Sequence, residues 1–167
     1  MSDIWFTDER VLRAIQLIWV EAKILDDKQY QEWEQLYTDD AFYVVPIDPE
    51  TENFAESLNM IYDDKRMRQM RVERMVQGFS PSAVAAARTI RTISRFTVES
   101  VSDTEVTIKS AQMLSAYKRN TFDTFGGELT HTIALSADGD PAGDRIRQKV
   151  VRLVHSEDAV TASGYLL

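Results

Sequence analysis

The sequence contains no cysteine among its 167 residues. Within this chain, disulfide bonds, thiolate zinc sites, thiolate-bound iron–sulfur clusters and a cysteine nucleophile are therefore excluded. Long apolar runs are also missing, since residues 15–20 already include Gln16 and fall far short of the roughly 20 apolar residues of a membrane helix. No charged segment followed by an apolar one opens the sequence. We therefore predict no signal peptide, and we expect a cytoplasmic location and no membrane partner.

Motifs that bind phosphate groups are absent as well. The six glycines, which we place in turns, form neither a Walker loop nor a dinucleotide fingerprint, and there is no nucleophile elbow. The net charge is −8, with 14 acidic and 4 basic residues in 1–60 and 3 acidic and 7 basic residues in 61–91. Because phosphate contacts need a basic face, no nucleic-acid partner is expected. The basic segment is interpreted as a solvated helix face.

The first third of the chain shows helical spacing. Thr7 is the expected N-cap of a helix over 8–25, whose apolar stripe has spacings of three and four. The stripe consists of Val11, Ile15, Ile18, Ala22 and Leu25. Leu12, Trp19 and Val20 widen it and predict burial on more than one side. A second, shorter helix is expected to start at Asp27.

The acidic pairs are interpreted mainly as caps and turns rather than as catalytic carboxylates. They are Asp26-Asp27, Asp39-Asp40 and Asp63-Asp64. The last pair can start a third helix over 64–76, in which methionines alternate with arginines. That alternation is typical of core packing or of a protein interface.

The remaining segments favour strands. Residues 41–45 form a short apolar, β-branched run before Pro46, and 46–57 are expected to be a loop. From residue 92 the period is two, which predicts strands over 93–99, 105–119, 128–136 and 145–155. Turns are expected at Asp103, at 122–127 and at 138–143. This order predicts one α+β domain over 1–167, with N-terminal helices packed on a curved, antiparallel or mixed sheet.

Only two histidines are available for acid–base chemistry or for metal binding. His131 falls on the apolar face of its strand, together with Leu129 and Ile133. It is therefore either a hydrogen-bonded core residue or a general base in an enclosed pocket. His155 lies where the last strand ends, and we expect it at the surface. The spacing of the histidines gives no metal-ligand pattern.

Three stretches resemble the small (beta) subunit of aromatic-ring-hydroxylating dioxygenases, the Rieske non-heme iron oxygenases. Residues 21–46 follow the family's order of an acid, Leu-Asp, Tyr, Trp, Leu, Asp, then Tyr and Pro. Residues 61–75 resemble its Tyr-Asp-Asp segment and the arginine-rich helix after it. Residues 87–94 resemble its Ser-Arg-Thr segment, although Ala87 replaces the usual serine and Arg95 replaces the usual asparagine.

This resemblance implies a cystatin-like or nuclear-transport-factor-like α+β cone and a structural, non-catalytic role. It implies a hexamer of three alpha and three beta subunits. The Rieske [2Fe-2S] cluster and the mononuclear Fe(II) are then expected in the alpha partner, with no cofactor in this chain. Six charged residues are expected at subunit contacts or in internal ion pairs: Asp63, Asp64, Arg71, Arg74, Arg88 and Arg91.

Two alternatives use the same fold differently. The chain could be a stand-alone dehydratase, isomerase or cyclase, with an active site inside the cone. His131 with Asp40, Tyr43 or Tyr62 would then provide acid–base catalysis. The chain could also be a pure interaction or transport module. An open pocket with a carboxylate beside His131 would favour the enzyme.

Overall fold

The computed structural model describes residues 7–78, 87–158 and 166–167. The described chain forms three α-helices and a six-stranded mixed sheet that is curled but not closed. The predicted α+β cone is therefore confirmed. Among the described residues, no helix is both long enough and apolar enough to cross a membrane.

The helices precede most of the sheet. Helix α1 spans Glu9–Asp26, α2 spans Tyr30–Gln35 and α3 spans Lys65–Glu73, with a π-helical turn over Arg74–Gly78. The strands are β1 (Tyr37–Pro46), β2 (Asn59–Asp63), β3 (Arg88–Val101), β4 (Glu105–Lys118), β5 (Thr121–Ala134) and β6 (Arg145–Leu153). Two 3-10 turns lie at Phe54–Glu56 and Pro141–Gly143.

The strand order in the sheet is β2-β1-β6-β5-β4-β3. Strands β3 to β6 form an antiparallel meander, whereas β1 pairs with β6 in parallel and with β2 antiparallel. The concave face holds the hydrophobic core, to which α1 contributes its predicted apolar stripe. Strand β2 was not expected from the sequence, because its five residues lack a clear apolar alternation.

Helix α1 differs from the prediction at its start and on one face. Asp8, not Thr7, is the N-cap, because its carboxylate accepts the Arg10 amide at 2.9 Å. The prediction of burial on more than one side was wrong, since Trp19 is 54% exposed and Leu12 and Val20 are also exposed. Trp19 is fixed at the rim, where its indole N–H donates to the Ile93 carbonyl.

The caps predicted for α2 and α3 are confirmed only in part. Asp27 is the C-cap of α1 rather than an N-cap, and α2 begins after Gln29, which makes no side-chain cap bond. Asp64 is the N-cap of α3, as one of the two predicted residues, and accepts the Met67 amide at 2.9 Å. The sequence also predicts a break over residues 78–82 and leaves the small-residue segment 83–87 ambiguous, and of these only residues 78 and 87 lie within the described part of the structure.

The predicted turn at 122–127 was wrong. The chain reverses at Arg119 and Asn120, which have φ of 50° and 65°, and β5 runs through Gly126 and Gly127. Two successive residues with positive φ make the tight turn whose twist suits a β-hairpin, and asparagine tolerates that conformation. The turn at 138–143 is confirmed, with Gly139 at φ 78°.

Candidate functional site

The register of the sheet aligns four polar side chains across its concave face. Tyr43 on β1 pairs with Lys149 on β6, and Lys149 pairs with His131 on β5. At the other end of the row, Asp63 on β2 pairs with Tyr43. All four side chains are buried, and they share the inward face of the sheet with apolar residues of the core. The curved sheet thus brings together polar groups from four strands.

The carboxylate of Glu21, on α1, lies at the centre of this group. Its Oε1 accepts hydrogen bonds from Lys149 Nζ at 2.9 Å and His131 Nε2 at 3.0 Å. Its Oε2 accepts from the Trp33 indole at 3.0 Å and from the Tyr37 hydroxyl at 2.8 Å. Every lone-pair direction of the carboxylate is thereby used, which is what burial of a charge requires. We call Glu21, Trp33, Tyr37, His131 and Lys149 the polar centre.

Burial and charge together set the protonation states of the polar centre. Burial by itself raises the pKa of Glu21, but the Lys149 ammonium and the His131 hydrogen bond outweigh it and hold that pKa below its ordinary value. Burial lowers the pKa of His131, and the neighbouring Glu21 opposes this only in part. The centre therefore contains an ionised Glu21 and a neutral His131.

These states define the tautomer of His131. Because Glu21 is an acceptor, the imidazole proton must lie on Nε2, which leaves Nδ1 as an unprotonated acceptor. Nδ1 is buried and has no hydrogen-bond partner among the described residues. Two polar atoms on the neighbouring strand β4, Ser110 Oγ and Gln112 Oε1, are also buried without a hydrogen-bond partner among the described residues.

The polar centre is closed to solvent. Glu21 and Lys149 are each 1% exposed and His131 is 0% exposed. Three surface cavities bounded by described residues, of about 310–430 Å³, are lined by other side chains. A carboxylate does lie beside His131, but the two groups are hydrogen-bonded to each other and both are buried. Their arrangement fits a structural hydrogen bond better than an acid–base pair that must reach a substrate.

The other candidate catalytic residues are separated from His131. Asp40 is exposed and its carboxylate accepts the Thr38 hydroxyl at 2.7 Å. Tyr62 is 39% exposed and stacks on Phe42, with ring centroids 4.9 Å apart. Tyr43 is buried in the same row as His131, but its hydroxyl contacts the main chain of Leu167.

Two internal ion pairs involve the arginine candidates. Asp63 is buried and binds Arg71 through two hydrogen bonds of 2.6 and 3.1 Å. Arg91 is buried and binds Asp26, with a guanidinium to carboxylate distance of 2.5 Å. The side-chain hydrogen bond to Asp63 raises the pKa of Arg71. Both pairs tie an end of a helix to the sheet.

The three remaining charged candidates lie elsewhere. Asp64 caps α3, as described above. Arg74 and Arg88 are exposed, and Arg74 makes one long hydrogen bond of 3.4 Å to the Met70 carbonyl. The exposed methionines Met67 and Met70 on α3 lie close to Arg74 in sequence.

The buried positions of Glu21 and Lys149 were not predicted from the sequence, although the spacing of the apolar residues around each indicates an inward-facing side chain. Glu21 lies three residues after Ile18 and four before Leu25, within the apolar stripe of α1. Lys149, like Val151 and Leu153, falls at every second position of β6 and lies on its inward face. An acid and a base on apolar faces, together with an apolar-face histidine, could have indicated a buried charge pair.

The side chains that could bind a metal are scattered within the described part of the chain. Among the described residues, no group of three or more His, Asp or Glu side chains is placed to hold a metal ion. A Rieske cluster needs two cysteines as well as two histidines, and the sequence has no cysteine.

Comparison with known proteins gives consistent matches. The family described as ring hydroxylating beta subunit matches residues 20–157. The benzoate 1,2-dioxygenase subunit beta of Acinetobacter baylyi is 30% identical over 117 residues, which cover 66% of this chain and 69% of that protein. The small oxygenase component of the p-cumate 2,3-dioxygenase system of Pseudomonas putida is 28% identical over 125 residues, covering 74% and 69%.

A solved structure resembles the fold. The beta subunit of benzoate 1,2-dioxygenase from Burkholderia mallei superimposes with a TM-score of 0.74, at 22% identity. The superposition covers 95% of this chain and 97% of that one.

Proposed function

The chain belongs to the ring-hydroxylating dioxygenase beta subunit family, and on that premise we propose that it is the non-catalytic, structural subunit of a terminal oxygenase component. In this role it supports a separate alpha subunit in the catabolism of an aromatic compound, in the cytoplasm. The observation that carries the proposal is the closed polar centre. Its buried histidine is hydrogen-bonded to Glu21 and shielded from solvent, which suits a rigid support better than a catalytic base.

The proposal assigns the cofactors to the partner. The Rieske [2Fe-2S] cluster and the mononuclear Fe(II) belong to the alpha subunit, where they supply the electron transfer and the oxygen chemistry. The absence of cysteine supports this division, because the present chain has no thiolate to offer a cluster. Its own residues contribute contact surface and stability.

The proposed assembly contains three beta and three alpha subunits. A three-fold ring needs two different, complementary patches on each copy. Since Asp63, Arg71 and Arg91 form internal pairs, we assign the subunit contacts to exposed side chains instead. Arg74 and Arg88 are exposed charges suited to carboxylates of a neighbouring subunit.

Co-expression with a Rieske-type alpha subunit encoded beside this chain tests the proposal. Size-exclusion chromatography is expected to give a complex of hexamer size, and iron analysis is expected to find all the iron lost when the alpha subunit is omitted. Elution of this chain alone, with the alpha subunit present and folded, would contradict the proposal.

Charge reversals locate the contact. Arg74→Glu and Arg88→Glu, made together, are expected to reduce the fraction of beta chain in the complex. Arg119→Glu, in the exposed β4–β5 turn, is the matched control and is expected to leave the complex intact. An intact complex with the double variant would remove these two arginines from the proposed contact.

The stand-alone enzyme is the less favoured alternative. In its favour, the carboxylate of Glu21 lies beside His131. Both groups are buried, however, and Glu21 has no free lone pair. A general base needs hydrogen-bond reach to a substrate proton, which this closed arrangement does not provide. The co-expression experiment separates the two functions.

A further inference from the structure

Two leucines far from the sheet in sequence are part of the hydrophobic core. Leu166 and Leu167 are 3% and 4% exposed, and both belong to the buried cluster inside the cone. No strand pairing joins them to the six described strands. Their burial therefore depends on side chains that receive them.

Three side chains of the cone hold the main chain of this dipeptide. Lys149 Nζ donates to the Leu167 oxygen at 3.0 Å, and the Tyr43 hydroxyl donates to the same oxygen at 3.3 Å. The Leu167 amide donates back to the Tyr43 hydroxyl oxygen at 3.0 Å. Arg91 donates to the Leu166 oxygen. Both main-chain oxygens and one amide are thus bound by side chains.

The groups that hold the dipeptide are themselves fixed. Glu21 binds Lys149 at 2.9 Å, and Asp26 binds Arg91. Tyr43 packs edge-on against Trp33, with ring centroids 5.5 Å apart. Because every donor is buried and held by a second contact, the geometry of this site does not depend on the dipeptide alone.

Such an arrangement is typical of peptide recognition. A binding protein holds the main chain of a peptide with fixed polar groups and its side chains with apolar pockets. The cone holds Leu166 and Leu167 in the same manner. From these contacts we propose that the interior of the cone is a peptide-binding site for a Leu-Leu segment, which the chain's own Leu166 and Leu167 occupy in cis.

Occupancy in cis has a consequence for added ligands. A segment covalently joined to its site competes at an effective concentration in the millimolar range. A free dipeptide is therefore expected to bind only when the side chains of Leu166 and Leu167 no longer fill the apolar part of the site. This inference concerns the interior of the chain and does not depend on the proposed alpha subunit.

The test uses the full chain and a double variant, Leu166→Ser with Leu167→Ser. Isothermal titration calorimetry with acetyl-leucyl-leucine is expected to show binding to the double variant at least about tenfold tighter than to the unaltered chain. Acetyl-seryl-serine, which has the same main-chain oxygens without the apolar side chains, is the control ligand and is expected to bind neither protein. A folded double variant that binds acetyl-leucyl-leucine no better than the unaltered chain would overturn the proposal.

Hydrogen exchange gives a second test that needs no change at the two leucines. In the unaltered chain, the Leu167 amide is expected to exchange at least about tenfold more slowly than in an unstructured peptide, because it donates to Tyr43. Tyr43→Phe is expected to remove this protection, whereas Tyr62→Phe, at an exposed ring, leaves it unchanged. Unprotected exchange at Leu167 in the unaltered chain would rule the site out, even if the double variant does not fold.

Discussion

Lys149 Nζ lies 2.9 Å from Glu21 Oε1, and both side chains are 1% exposed. One charge comes from the first helix and the other from the last strand, so the pair joins the two ends of the described fold. A buried pair of this kind adds little when intact, but loss of one partner leaves an uncompensated charge. The polar centre is therefore the place where small chemical changes have the largest effect on stability.

Removal of the Glu21 charge tests this directly. Glu21→Gln leaves Lys149 buried without a counter-charge and is expected to lower the free energy of unfolding by about 3–5 kcal/mol. Urea denaturation measures the change. Glu128→Gln is the matched control, because Glu128 pairs with Arg95 at the surface, 3.2 Å away, and is expected to cost less than about 1 kcal/mol. Equal losses in the two variants would contradict the role assigned to the centre.

The neutral His131 predicts a loss of stability in weak acid. Burial lowers the pKa of His131 in the folded chain, whereas unfolding restores a value near about 6.5. Below pH about 6.5 the unfolded chain therefore binds a proton that the folded chain does not, and stability falls with pH. Above that pH both states are neutral and the contribution is constant.

The measurement compares urea midpoints at two pH values. The unaltered chain is expected to lose stability between pH 7.5 and 5.5 through His131, by at most about 1.4 kcal/mol when the folded chain binds no proton there. His131→Gln is expected to lose less over the same interval. An unchanged pH dependence in His131→Gln would show that other groups cause it.

The two adjacent glycines of β5 are expected to differ in their tolerance of a side chain. A Cβ on Gly127 would lie 3.0 Å from the Arg152 carbonyl oxygen, which is rigid main chain. Gly127→Ala is therefore expected to cost about 1–3 kcal/mol. A Cβ on Gly126 would lie 3.3 Å from Met113 Sδ, which can move, so Gly126→Ala is expected to cost less. Thermal unfolding of both variants checks the order.

The β4–β5 turn contains a position where a substitution is expected to stabilise the chain. Arg119 has φ of 50°, a conformation that asparagine adopts more readily than arginine. Arg119→Asn is expected to stabilise the chain by part of the roughly 1–2 kcal/mol that the left-handed conformation costs an ordinary residue. Asn120→Ala is expected to destabilise it, because alanine at φ 65° is strained and the 3.0 Å bond from the Tyr117 hydroxyl is lost. A loss of stability in Arg119→Asn would contradict this account of the turn.

Much of the fold was predictable because local spacing reports which face of an element is buried. The five stripe residues of α1, such as Ile18 and Leu25, are all buried, and the meander follows the period-two segments. The turn at 122–127 was predicted wrongly because the two glycines were taken as turn residues. In the structure both glycines lie within β5, and the missing side chain of Gly127 allows close approach of the Arg152 main chain, which no local pattern reports.

The sequence by itself determined the α+β class, the order of most elements, the family and the absence of any thiolate site. These depend on composition and on spacing along the chain. Only the tertiary structure decided which polar groups meet. Glu21 and His131 are 110 residues apart in the sequence, and strand register places Lys149 beside His131. It likewise decided that Asp63 pairs with Arg71 and that Leu166 and Leu167 enter the cone. Contacts of this kind depend on the curvature of the sheet, which sets distances that spacing in the sequence does not contain.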